Sequence, residues 1–214
     1  MKRHSGGRRL ATILLLIAAS AGLHAAGAQV KAPGARYAST KDDAEFMQGM
    51  IMHHAQAIVM ANEAKSHGAS KSVQIFCARI ALSQRGEIGL MQAWLRARKF
   101  TVPDTTGKMP MGDMPGMSHG AMAMPLMPGM LTPEQMKLLS DARGASWDRL
   151  FLTFMIQHHT GALTMVDKLF KSPAGGQDED IFKFATNVHA DQTSEIERMK
   201  QMLADARDAA GGTT

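Results

Sequence analysis

The stretch that decides the fold is FMQGMIMHHAQAIVM at residues 46–60, which returns 105 residues later as FLTFMIQHHTGALTM at 151–165. Its apolar residues and paired histidines recur at the period of an amphipathic helix rather than that of a strand. A second motif follows each copy, QRGEIGLMQAWL at 84–95 and QTSEIERMKQML at 192–203. The pattern therefore indicates one two-helix unit that the chain carries twice.

Cap and turn signals divide each unit into two helices. We expect helices to begin at Asp42 or Asp43, Ser70 or Ser72, Thr132, Ser146, and Asp178 or Asp180, and the first to end at His67-Gly68. Short loops predict antiparallel hairpins at 42–98 and 132–208, the second preceded by a short helix, with residues 99–131 as a long crossover. This connection pattern predicts an all-α, ferritin-like four-helix bundle.

The first 28 residues have the features of an export signal. A basic start is followed by an apolar run at 10–23 and a small-x-small site at 26–28. We therefore expect a signal peptide at 1–28, a flexible start at 29–41 and a periplasmic protein. The pair Arg8-Arg9 leaves the twin-arginine route open beside the general secretory one.

Composition narrows the possible functions of the exported chain. Without residues 1–28, the chain has 20 Lys and Arg and 19 Asp and Glu, so its net charge is +1. This charge does not indicate a nucleic-acid partner. No later run of 18 apolar residues predicts a membrane span. Cys77 stands alone, which rules out an internal disulfide and a thiolate pair, whereas methionine is abundant with 19 residues.

Eight of these methionines lie where a regular helix is not expected. Prolines and glycines interrupt residues 101–131, so the thioether groups there are expected to be exposed or nearly so. Soft thioether donors select Cu(I), and by extension Ag(I), over hard cations. The candidate metal ligands in this linker are Met109, Met111, Met114, Met117, His119, Met122, Met124, Met127 and Met130. The alternative is a low-complexity linker or an adhesive surface for a partner.

The paired histidines are the second candidate site. Met50 lies within one turn of His53 and His54, and the second copy repeats this arrangement with Met155, His158 and His159. The alternative is that an inward histidine bonds a core carboxylate or a backbone group. His189 and Met199 on the last helix are further candidate ligands. The alternative for His189 is a place in a polar core, and the alternative for Met199 is apolar packing.

Polar residues of the second motif suit a supporting role. Gln84 with Glu87, and Gln192 with Glu195, could fix the tautomer of a metal-binding imidazole or form a hydrogen bond across helices. Catalysis has little support, because no nucleophile motif or phosphate-binding glycine loop is present. A di-iron oxidase site needs Glu-x-x-His motifs, and this sequence has none. We expect no enzyme activity and no organic cofactor.

These motifs resemble those of the "domain of unknown function 305" family. The resemblance covers roughly 42–98 and 146–203, with Met202 where the family's second motif usually has Trp. It implies a ferritin-like, exported protein related to copper-resistance proteins of the CopM kind that bind Cu(I) and Ag(I). By resemblance, the ligands are Met50, His53, His54, Met155, His158 and His159.

Together these features predict a periplasmic Cu(I)/Ag(I)-binding protein that sequesters the metal or delivers it to another copper-handling protein. The alternative function is a metal-free ferritin-like adaptor whose Met-rich linker docks a partner. The two differ in whether Cu(I) stabilises the fold.

Overall fold

The computed structural model describes residues 38–105 and 126–211, which form five α-helices and no strand. The helices are α1 (Lys41–Asn62), α2 (Lys71–Ala97), α3 (Pro133–Asp141), α4 (Gly144–Lys171) and α5 (Glu179–Gly211). The prediction of an all-α chain is confirmed. None of the described helices is both long and apolar enough to cross a membrane.

Helices α1 and α2 run antiparallel, because contacts later in α1 involve residues earlier in the chain after it. Arg85 donates to Asn62 at the end of α1, whereas Gln48 near its start donates to the Thr101 carbonyl, beyond the end of α2. Helix α4 packs in the same way against α5, and α1 packs against α4. The contact between α1 and α4 therefore joins the two hairpins.

An aspartate lies three residues before each copy of the repeat, at Asp43 and Asp148, and each one bonds the turn of the other hairpin. Buried Asp43 accepts a 2.7 Å hydrogen bond from the Gly176 amide in the α4–α5 turn. Asp148 accepts from the Ser70 amide, in the α1–α2 turn, at 3.1 and 3.2 Å. The two contacts explain why both copies of the motif carry an aspartate at this position.

Buried apolar residues form two separate clusters, one toward each end of the paired hairpins. The first includes Ala57, Met60, Phe76, Ile80, Phe151, Met155, Ile196 and Met199. The second includes Met47, Met50, Ile88, Met91, Ala162, Val166, Ala185 and Val188. The chain positions between them, near 53–56, 84–87, 158–159 and 192–195, are polar. A polar layer therefore divides the core at half height.

Some predicted helix ends are confirmed and others are wrong. Thr132 caps α3 in a capping box with Gln135 as predicted, and Asp178 accepts the amides of Asp180 and Ile181 at the start of α5. Helix α1 is capped by Thr40 rather than by Asp42 or Asp43, because the Asp43 carboxylate bonds back to the Thr40 amide as the other half of a capping box.

Two further boundaries differ from the prediction. Helix α4 begins at Gly144, so Ser146 lies inside its first turn instead of capping it. Helix α1 ends at Asn62, and a turn continues to Gly68, whose φ of +69° is the left-handed conformation that glycine adopts at low cost. The imidazole of His67 in that turn bonds the Ser140 carbonyl at 2.9 Å, which holds the turn against α3.

Candidate metal centre

The four repeated histidines share the polar layer between the two apolar clusters. His53, His54, His158 and His159 each have 0% of their surface exposed. An isolated histidine is seldom this deeply buried without a partner for its ring nitrogens. We call these four residues, together with Glu87 and Glu195, the imidazole layer.

The central contact of the imidazole layer joins the two hairpins. The ring of His53 on α1 and the ring of His158 on α4 have centroids 3.8 Å apart and planes tilted by 37°. Adjacent residues of a helix point about 100° apart, so the two rings of a pair cannot face the same way. Both rings of each pair are in fact buried, because one faces the neighbouring hairpin and the other faces its own hairpin partner.

The outer histidine of each pair bonds a carboxylate of the second motif. His54 Nε2 lies 2.5 Å from Glu87 Oε2, and His159 Nε2 lies 2.7 Å from Glu195 Oε2. A carboxylate can only accept, so these geometries assign the ring proton to Nε2 in both residues. For the glutamates, the structure shows the alternative of a hydrogen bond across helices. It also shows, for His54 and His159, the alternative of an inward histidine that bonds a carboxylate. Whether these bonds serve a metal-binding imidazole stays a prediction.

The Nε2 atom of His53 bonds a backbone carbonyl instead of a carboxylate. His53 Nε2 lies 3.0 Å from the Pro128 carbonyl, which also only accepts. Within the described ranges, the Nδ1 atoms of His53, His54 and His159, and both ring nitrogens of His158, have no hydrogen-bond partner of ordinary geometry. A neutral imidazole with its proton on Nε2 presents a lone pair on Nδ1, which is the form that binds metals.

Burial keeps the central pair neutral. It lowers the pKa of His53 to about 3, with a further lowering by the charge of His54. Burial also holds the pKa of His158 well below its usual value, followed by the charges of His53 and His159. Protonation therefore does not compete with a metal ion for these nitrogens near neutral pH.

The glutamates connect the layer to the surface between α2 and α5. Their side chains are 17% and 24% exposed at Glu87 and Glu195, respectively. Burial raises the pKa of the neighbouring Asp191, and the charges of Glu87 and Glu195 raise it further. This edge of the layer is negatively charged, which favours the approach of a cation.

The methionine candidates on the helices are buried next to the layer. Met50 lies in the second cluster with Met91, whereas Met155 lies in the first cluster with Met199. In the part of the chain that the structure describes, no three His, Cys, Asp or Glu side chains are arranged to hold a metal ion. Imidazole and thioether donors suit copper, but a complete set of metal ligands would need a methionine sulfur or a movement of the histidine rings.

A short segment before α3 covers the groove between α1 and α4. We call residues 127–131 the strap. Gln56 bonds both backbone groups of Leu131, donating to its carbonyl at 3.1 Å and accepting from its amide at 2.8 Å. A Cβ on Gly161 would lie 2.0 Å from the Pro128 oxygen, so only glycine permits this close approach.

The strap corrects the prediction that the linker sulfurs are exposed. Met130 is 9% exposed, and Met127 is partly buried against the second cluster, because hydrogen bonds to Gln56 and His53 hold this segment in the groove. The remaining linker candidates, Met109, Met111, Met114, Met117, His119, Met122 and Met124, lie outside the described residues.

One predicted ligand is not brought to the layer, and two positioning contacts were not predicted. His189 is exposed on α5. Neither the Pro128 carbonyl nor Gln56 could be recognised from the type of its side chain. One signal was present in the sequence, because Gly161 occupies the position where the first copy of the repeat has Gln56.

The glutamines of the second motif also belong to the polar layer. Gln84 and Gln192 are both 3% exposed, and each lies three residues before a glutamate of the layer.

The family assignment follows from this repeated arrangement. The family model described as "Domain of unknown function (DUF305)" matches residues 43–203, which include both histidine pairs and both glutamates. The chain belongs to the DUF305 family. No curated protein matches it.

Solved structures of DUF305 proteins resemble this one over most of the chain. A proposed secreted DUF305 protein from Streptomyces coelicolor is 25% identical, with a TM-score of 0.61, over 77% of this chain and 93% of its own. A DUF305 fragment from Deinococcus radiodurans is 24% identical, with a TM-score of 0.62, over 78% and 98%. CopM in its Cu(II)-bound form is 25% identical, with a TM-score of 0.57, over 76% and 96%.

Proposed function

We propose that this DUF305 protein binds Cu(I), and by extension Ag(I), at the imidazole layer. The observation that carries the proposal is the set of four buried imidazoles, three of which have Nε2 occupied by a protein acceptor and Nδ1 without one. Structures of CopM in Cu(I)-bound and Ag-bound forms, each 25% identical to this chain, support a copper-related role.

The chemistry of the layer favours a soft, weakly hydrated ion. Neutral imidazole and thioether donors bind Cu(I) without needing to neutralise a high charge, whereas hard cations prefer oxygen. We propose Nδ1 of His53, His54, His158 and His159 as donors, with Met50 and Met155 supplying sulfur. The glutamates would hold the rings in the binding tautomer and increase their basicity.

The proposal also covers the arrangement of the helices, the location of the protein and its use of the metal. The chain is proposed to be a four-helix bundle formed by two duplicated hairpins, exported to the periplasm through residues 1–28. It would act without catalysis, by sequestering copper or delivering it to another copper-handling protein. The linker methionines at 109–124 would supply additional, weaker sites.

The test is a Cu(I) titration against a competing chelator under reducing conditions. The wild type is compared with a variant in which His53, His54, His158 and His159 are replaced by Gln, which retains polarity and approximate size. Circular dichroism checks the fold of the variant. We expect loss of the tightest site with retained helicity, whereas equal affinity of both proteins would contradict the proposal.

A second function is favoured by one observation, the abundance of methionine next to the strap. In that alternative, the Met-rich segment docks a partner protein and binds no metal. Cu(I) would then leave the thermal unfolding temperature unchanged, and partner capture would persist in the presence of a chelator. A metal-dependent rise in unfolding temperature would exclude this alternative.

A further inference from the structure

The side chains of Met127 and Met165 both lie against α1 at Gly49, outside the imidazole layer. Met127 Sδ lies 3.4 Å and Met165 Cε lies 3.3 Å from the position that a Cβ on Gly49 would occupy. Both side chains are only partly buried, on the edge of the second apolar cluster. The strap and α4 therefore each contribute a methionine to one bare patch of α1.

The two copies of the repeat differ at this patch. The residue 105 positions after Gly49 is Phe154, which is 9% exposed. Met60, the counterpart of Met165 in the first copy, is completely buried in the other cluster. A large side chain thus fills this position in one half of the molecule, whereas a glycine leaves room for the Met127 sulfur in the other half.

We propose that Met127 and Met165 form a second soft-metal site that takes Cu(I) or Ag(I), distinct from the imidazole layer. Two neutral thioethers in a half-buried groove suit a monovalent soft ion and disfavour divalent, strongly hydrated ions. The choice of ion rests on the proposed copper function, whereas the convergence of the two side chains on Gly49 does not.

The position of the pair suggests its use. Gly49 lies four residues before His53 on α1, about 6 Å along the helix axis. The residue after Met127 is Pro128, whose carbonyl holds His53 Nε2. An ion on the two sulfurs would therefore sit one helical turn from the imidazole layer, on the strap that covers it.

The experiment is a titration of the whole protein, labelled with ¹³C at the methionine methyl groups and with ¹⁵N, with Ag(I), which is diamagnetic. Thioether coordination shifts the ε-methyl signal. The variants M127L and M165L assign the two signals and preserve side-chain volume, and M60L, in the fully buried counterpart, is the matched control.

We expect the Met127 and Met165 methyl signals to shift together, and the Met165 shift to disappear in M127L but not in M60L. A Met165 signal that stays fixed to saturation, or that still shifts in M127L, would overturn the proposal. The ¹⁵N signals of the imidazoles separate this result from the proposed function. Imidazole shifts without Met127 and Met165 shifts would reject the second site alone, and the absence of both would reject both.

Discussion

The rings of His53 on α1 and His158 on α4 pack against each other, with centroids 3.8 Å apart, at the contact between the two hairpins. Nothing in the described part of the chain bonds either Nδ1 atom, and both rings are completely buried. Because buried polar atoms without partners cost free energy, an apolar pair would stabilise this contact better. This cost of free energy supports the proposed binding role of the pair.

The carboxylates that hold the outer histidines should control metal affinity. In the double variant E87Q/E195Q, neutral amides replace the acceptors of His54 and His159 Nε2–H. The rings lose basicity, and the amide can donate to Nε2 and favour the opposite tautomer. We expect Cu(I) affinity to fall by about 10- to 100-fold, as measured by chelator competition.

The matched control for this experiment is E197Q, which removes an exposed carboxylate that bonds only Lys200 on the surface of α5. Its Cu(I) affinity should equal that of the wild type. An E87Q/E195Q protein with wild-type affinity would show that the glutamates serve the fold rather than the metal.

Displacing the strap should destabilise the protein even though the substitution improves helix propensity. In G161A, the new Cβ would lie 2.0 Å from the Pro128 oxygen and 2.4 Å from its carbon, so the strap must move. Breaking its contacts with His53 and Gln56 should lower the free energy of unfolding by about 1–3 kcal/mol. Urea denaturation measures this change.

The control for the strap is G89A on α2, where nothing lies within 4 Å of the added Cβ. Here the gain in helix propensity should raise the free energy of unfolding by about 0.5–1 kcal/mol. If both alanine variants were stabilised, the close packing of the strap on Gly161 would be refuted.

The metal-free protein should lose stability as the pH falls below about 6.5, the usual histidine pKa. His53, with a folded pKa of about 3, and His158, with a strongly lowered pKa, stay neutral in the fold while the unfolded chain takes up protons. Each group should lower the free energy of unfolding by up to about 1.4 kcal/mol per pH unit across this window.

Urea denaturation of the metal-free protein at a series of pH values between 7.5 and 5 measures this slope. The variant H53Q/H158Q removes both titrating rings and should show a shallower dependence. A slope equal to that of the wild type would mean that other groups cause the acid sensitivity.

Asp43 should matter more for stability than an exposed aspartate. It accepts hydrogen bonds from the Thr40 amide and hydroxyl and from the Gly176 amide while completely buried. The variant D43A should lower the free energy of unfolding by about 1–3 kcal/mol, since half of the capping box is lost and the Gly176 amide loses its acceptor. Thermal and urea denaturation report this loss.

The control substitution is D141A, which removes an exposed i,i+4 pair with Lys137 and should change stability by less than about 0.5 kcal/mol. Equal effects of D43A and D141A would mean that the tie between α1 and the α4–α5 turn is not a stabilising contact.

Helix type and helix pairing were accessible from sequence because they depend on local periodicity and short turns. The capping box at Thr132 and the cap at Asp178 were predicted correctly for that reason. The cap of α1 was misassigned, since Asp43 reads equally well as a cap and as the third residue of a capping box. Only its contacts with Thr40 and Gly176 distinguish the two.

The sequence by itself determined the all-α class, the family and the repeated His-His and Glu positions, because these are patterns along one chain. The tertiary structure alone decided that His53 packs against His158, that Glu87 and Glu195 bond the outer rings, and that the Pro128 carbonyl bonds His53. The physical reason is that each of these contacts joins residues from different helices or from the strap. Their distances depend on how the hairpins pack, which no local pattern encodes.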